Sequence, residues 1–160
     1  MITQTDRLFL ERCLELAIEA LEAGDAPFGS VLVSAQGDIL FEDRNRVASR
    51  DATRHPEFEI ARWAATHLSP EERAAATVYT SGEHCPMCSA AHAWAGLGRI
   101  VYISSSAQLR SWLDALGVPA SPVRPLPIQE VVPGLEVLGP VPDLAEKIHA
   151  LHRRRHTEGR

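Results

Sequence analysis

The sequence predicts a three-layer α/β/α domain built on a mixed sheet of about five strands. Three observations carry this. Stretches with apolar residues at three- and four-residue spacing alternate with short apolar runs rich in Val, Ile, Tyr and Thr. The chain opens with a helix and a hairpin, after which helix and strand alternate, an order that places helices on both faces of one sheet. The length of 160 residues suits one domain, residues 1–160, with a real core.

Taken in order, Leu10, Leu14, Ala17, Ile18 and Leu21 form the apolar face of a first helix, expected to start at a Thr5 cap and run to about Ala23. Cys13 falls inside it as a small core residue. Gly24 ends it. The loop to Ser30 feeds a strand over Val31-Leu32-Val33, and Ala35-Gln36-Gly37-Asp38 turns the chain into a return strand, Ile39 to Glu42. Pro56 suits the first turn of a helix reaching about His67. Ser69-Pro70-Glu71-Glu72 breaks the chain into a short turn, and Ala75 to Thr80 reads as a buried strand. Pro86 opens another helix, Met87 to about Leu97, and Arg99 to Ile103 is the next strand. Ala107 to Leu116 is helical, with Leu109, Trp112, Leu113 and Leu116 on one face. Seven prolines between 119 and 142 argue against a helix there, so short strands are expected at Ile128–Val131 and Leu135–Leu138. Asp143 is read as the cap of a C-terminal helix to about Arg155.

Composition narrows the function. Hydrophobic residues make up 45% and charged residues 23%, an ordinary globular balance. The formal charge of -5 makes a nucleic-acid partner unlikely on physical grounds, because phosphate contacts need a Lys/Arg surplus. The basic triplet Arg153-Arg154-Arg155 reads as a solvated helix end. No apolar run is long enough to cross a bilayer, and the N-terminal residues do not form a signal peptide, so a cytoplasmic location is expected. Three cysteines do not make a disulfide framework; two of them stand in a C-x-x-C.

The chemistry concentrates in two segments, His55-Pro56-Glu57 and His84-Cys85-Pro86-Met87-Cys88, with His55 and Cys85 thirty positions apart. Each lies at a predicted helix start, where the dipole favours thiolates. His55, Cys85 and Cys88 can ligate zinc. Three protein ligands leave a fourth position for water, whose pKa zinc lowers towards neutrality. Glu57 is placed to move protons. His84 and His92 are read as non-ligand histidines, with His92 on the Cys88 face of its helix as a possible pocket residue. Phe28 either packs in the core or stacks on a planar substrate. Asn45 is either a turn residue or a donor and acceptor for a heterocycle. Trp94 is either core or a pocket wall.

The ordered set of H-x-E and C-x-x-C resembles the zinc-dependent cytidine/deoxycytidylate deaminase superfamily, from Gly24-Asp25-Ala26-Pro27-Phe28-Gly29 to Tyr102. It looks most like the guanine deaminase and nucleoside deaminase branch. The resemblance implies a cytidine deaminase-like fold, zinc on His55, Cys85 and Cys88, Glu57 as proton shuttle, and Phe28, Asn45 and Trp94 against the base. It also implies a homodimer or larger assembly. The reaction implied is hydrolytic release of ammonia from a small aminated heterocycle: guanine or a related purine, a pterin, a pyrimidine or a triazine. A tRNA adenosine deaminase and a structural zinc protein are the alternatives, and a redox C-x-x-C is a minor one. The chain departs from the pattern in three places. Proline stands between His55 and Glu57. His84 replaces the usual proline before the first cysteine, where it is expected to shape the pocket. The acidic residue expected soon after the fourth strand is replaced by Ser104-Ser105-Ser106-Ala107, and Asp114 sits too deep in its helix to be read as a substitute. No aromatic residue follows Trp112.

Overall fold

The alternation of elements folds as the sequence predicts, and a computed structural model of the chain describes residues 1–158. Helix α1 (Gln4–Glu22) precedes the hairpin of β1 (Gly29–Val33) and β2 (Ile39–Arg44). A 3-10 turn at Val47–Ser49 leads to α2 (Pro56–His67) and the short α3 (Pro70–Ala75). Then come β3 (Thr77–Gly82), α4 (Pro86–Trp94), β4 (Ile100–Ser104) and α5 (Ser106–Ala115). The chain ends with α6 (Ile128–Val131), β5 (Val137–Leu138) and α7 (Pro142–Thr157). The strand order is β2-β1-β3-β4-β5. The pairs β2/β1 and β1/β3 are antiparallel, while β3/β4 and β4/β5 are parallel, so the sheet is mixed.

Alternation along the strands sorts residues between two cores. Val31, Val33, Tyr79, Val101 and Ile103 face α1 and α7. Leu32, Val78 and Ile100 face the other way, towards α2, α4 and α6. Both faces of β1 and β4 are covered, which is why these strands read as continuous apolar runs rather than alternating ones. Helix α1 lies so close to β1 that a Cβ on Gly29 would sit 2.7 Å from the Cys13 carbonyl oxygen. Among the described residues, no helix is long and apolar enough to cross a membrane.

Four boundaries differ from the sequence expectation, each for a local reason. Thr3, not Thr5, caps α1. Its hydroxyl accepts the Asp6 N–H at 3.1 Å, while the Thr3 N–H donates to the Asp6 carboxylate at 2.9 Å. Asp6 also accepts from the Tyr79 hydroxyl and Arg99, which ties α1 to β3. The expected turn at Pro70 is a helix with a Ser69/Glu72 capping box. The strand expected at Ile128–Val131 is instead the one-turn helix α6. Pro127 and Pro133 leave a five-residue window free of proline, enough for one turn, and burying Ile128 against the α4 side holds it there. Asp143 is not the cap of α7; Val141 takes that position, with Pro142 in the first turn.

Candidate metal centre and active site

The site is made by two helix starts on the same face of the sheet. His55 is the N-cap of α2 and Cys85 the N-cap of α4, and each is followed by proline at the first helical position. A proline forces the residue before it out of the helical region. His55 and Cys85 accordingly have extended backbones, with ψ of 140° and 167°. Their side chains leave the helices and meet each other. His55 Nδ1 lies 3.5 Å from the Cys85 sulfur and 3.6 Å from the Cys88 sulfur. The three donor atoms all fall within 4.8 Å of one another. One imidazole and two thiols, converging with no fourth side-chain ligand among the described residues, suit zinc with an open position. A hydrogen bond from Cys88 lowers the Cys85 thiol to about 4, against the opposing effect of burial and with further help from His55.

Glu57 follows one residue after Pro56 and is 6% exposed. The strand alternation that sends Leu32 and Val78 towards α2 sends Ser30 and Thr80 there as well. The Ser30 hydroxyl donates to Glu57 Oε1 at 3.0 Å, with the Thr80 hydroxyl at 3.3 Å. Burial raises the Glu57 carboxyl above its ordinary value, and the nearby His55 partly offsets this. A carboxyl so raised is better matched to taking and returning a proton.

Glu57, His55 and Cys85 border a cavity of about 210 Å³. Phe28 and Asn45 line it too. Phe28 borders the cavity, and its ring packs edge-on against His152 of α7 at 5.1 Å. Gly82 makes room for this ring, since a Cβ there would come 3.0 Å from it. Asn45 is only 3% exposed, and its Oδ1 has no hydrogen-bond partner. Its loop is held by Asp25, which accepts from Arg44 at 3.1 Å and from the Ala48 N–H at 2.6 Å.

Three of the sequence-derived pocket residues lie elsewhere. Trp94 is 88% exposed at the end of α4 and does not border the cavity, because α4 turns that position outward. His84 is fully buried and faces His92 edge-on at 5.4 Å, and neither borders the cavity. His92 bonds the Gly98 carbonyl through Nε2 at 2.7 Å, while both His84 ring nitrogens are without hydrogen-bond partners. His84 is not among the converging ligands, so a zinc site closed by it is not what this geometry offers.

The structure also brings to the cavity residues that the sequence did not assign to it. Leu109, Leu113 and Asp114 on α5 border the cavity, as does the strap from Val118 to Pro125. Asp114 is thus a pocket residue although it lies deep in a helix. The signal was present in the apolar spacing of α5, but nothing in the sequence says which side of α5 the strap covers. Glu83 borders the cavity as well, and its carboxylate accepts two backbone N–H groups, from Ser106 and Ile128, both at 2.8 Å.

A mixed sheet with two proline-started helices converging a His and two Cys beside a buried Glu defines a metal-dependent hydrolase type of site. The chain belongs to the cytidine and deoxycytidylate deaminase zinc-binding family, whose description matches residues 3–104. His55, Cys85 and Cys88 are its zinc-binding triad. The chain is 29% identical over 108 residues to a probable cytosine deaminase of Schizosaccharomyces pombe, covering 68% of this chain and 65% of that protein. It is 40% identical over 96 residues to guanine deaminase of Bacillus subtilis, covering 59% and 61%. It is 35% identical over 95 residues to a tRNA-specific adenosine deaminase of Agrobacterium fabrum, covering 59% and 62%. The chain thus spans a little under two thirds of these relatives. In fold it is similar to NE0047, solved in complex with 2,6-diaminopurine, with a TM-score of 0.73 and 22% identity over 98% of this chain and 84% of that one.

Proposed function

We propose that this protein is a zinc-dependent hydrolytic deaminase of a small aminated heterocycle, with guanine or a related aminopurine as the first expectation and a pterin, pyrimidine or triazine as further members of the class. The observation that carries this reading is the buried carboxylate of Glu57 beside the His55–Cys85–Cys88 triad, at the edge of a cavity sized for a small ring. Zinc held by the triad supplies Lewis acidity that makes water acidic enough to react near neutral pH. Glu57 takes a proton from the attacking water and gives it to the ring nitrogen next to the amine-bearing carbon. A C–O bond forms at that carbon. Glu57 then carries the remaining hydroxyl proton to the amine, the C–N bond breaks, and ammonia leaves behind a ring carbonyl. Ser30, donating to Oε1, keeps the carboxylate aimed while it exchanges protons.

Phe28 offers a face for stacking, and the unpaired Asn45 amide offers a donor and an acceptor to a ring edge. Asp114 on the opposite wall supplies the acidic acceptor that a guanine-type N–H edge requires, and it does so from α5 rather than from the loop after β4. The relatives that match the chain include proteins acting on free bases and on tRNA, and the net charge of -5 favours the free base. The test is an ammonia-release screen of the zinc-loaded protein over aminated purines, pterins, pyrimidines and triazines, with an adenosine-bearing tRNA as a separate arm. Turnover of a free base supports the reading. Turnover of the tRNA alone would replace it.

A further inference from the structure

The wall that completes the cavity is made of two elements that share no sheet and little core. Helix α5 is the first, and none of its residues is fully buried. The second is the strap from Val118 to Pro125, which borders the cavity and is exposed apart from the half-buried Val118. Both are tied to the metal side by one carboxylate. Glu83 Oε1 accepts the N–H of Ser106, the first residue of α5, and Oε2 accepts the N–H of Ile128, the first residue after the strap and its flanking turn. Glu83 is two residues from Cys85, and its own N–H donates to the Ser104 carbonyl at the end of β4 at 2.8 Å. The carboxylate is thus held rigidly with respect to the triad.

The start of α5 bears this out. Helices α2, α3, α4 and α7 all carry proline in the first turn, whereas α5 begins with Ser106. Proline is well tolerated there because the first N–H of a helix has no partner within the helix. In α5 that N–H is in use, donated to Glu83.

We propose that Glu83 is a positioning residue for substrate binding: by holding Ser106 and Ile128 at once, it sets the distance between the zinc-binding triad and the wall of α5 and the strap that closes on the heterocycle. The proposal rests on the deaminase reading for its kinetic consequence, though its structural consequence does not depend on that reading. A glutamine at this position keeps one acceptor oxygen and sets an NH₂ against the other N–H, so one of the two wall elements is released.

The test uses the zinc-loaded, full-length protein and the variant Glu83→Gln. Backbone hydrogen exchange is expected to rise in peptides covering residues 105–131 and to stay unchanged in those covering α2 and β3, with zinc still at one per chain. On the substrate found by the ammonia screen, KM is expected to rise roughly tenfold, the scale of losing a hydrogen bond to a charged group, with kcat much less affected. Ser106→Pro, which removes that N–H at a first-turn position where proline is tolerated, is expected to act in the same direction and to add less in the Glu83→Gln background than alone. Exchange unchanged over 105–131 would overturn the proposal, as would zinc loss with faster exchange throughout, or equal effects of Ser106→Pro in both backgrounds. If no heterocycle releases ammonia, the deaminase reading fails while the exchange measurements still decide this one.

Discussion

The two sides of the cavity are built in opposite ways. The metal side is made of helix starts seated on the central strands. Cys88, Glu57, Ser30 and Thr80 there are buried, and Glu57 and Ser30 are hydrogen-bonded to each other. The opposite side is a half-buried helix and a proline-punctuated strap, with Asp114 paired to Arg110 at 3.0 Å on the surface. The first side therefore specifies what reaction can occur, since its residues are fixed by the core. The second side, on the reading proposed above, meets the substrate, and it stands outside the sheet. Glu83 is the bond between them.

This contrast makes testable claims about each side. The largest effect belongs to the metal side. Cys88→Ala, or exhaustive chelation, is expected to take zinc from one per chain to none by metal analysis and to abolish ammonia release, because a His and a single Cys no longer make a three-ligand site. On the substrate side, Asp114→Asn is expected to raise KM roughly tenfold for a guanine-type substrate, with zinc content unchanged, because the acceptor loses its charge. A loss of kcat with KM unchanged would move Asp114 out of the binding wall.

Buried histidines make the stability of the fold depend on pH. Burial holds His152, behind Phe28, down to about 3 and His92 down to about 4. Both stay neutral in the folded protein, while the unfolded chain takes up protons on them near pH 6.5. Stability from these groups is therefore complete above about pH 6.5 and declines as the pH falls towards 4. Thermal melts at pH 7 and pH 5 should show the lower Tm at pH 5, and His152→Phe should flatten that slope. The smallest effect is expected for Trp94→Ala. Its exposed side chain lies outside the cavity, so kcat/KM for one protein chain's site should change less than about twofold, within the range of surface substitutions.

The same contrast explains what could be read from the sequence. The sheet, its order of elements and the zinc triad follow from periodicity and from two X-Pro helix starts, signals that sit within a few residues of the groups they place. Phe28 and Asn45 were legible as pocket candidates because they flank the hairpin. Helical spacing from Cys88 gives a face for His92 and Trp94 but not what packs on it: Trp94 stands exposed and outside the cavity, and His92 is buried away from it, as is His84 just before α4. Asp114 was set aside for its depth in α5, while Glu83 and α6 were missed because they depend on where a seven-proline segment comes to rest, and that is set by tertiary bonds such as Glu83 to Ile128 rather than by local propensity.

The account turns on Glu57 being the proton carrier of a zinc-dependent deaminase. The most direct measurement compares ammonia release by zinc-loaded wild-type protein and Glu57→Gln on the same aminated heterocycle, with zinc stoichiometry determined for both. Equal zinc and a fall in kcat of roughly a hundredfold or more is the predicted result, the scale of losing a general acid–base group. Equal zinc with undiminished turnover would contradict it.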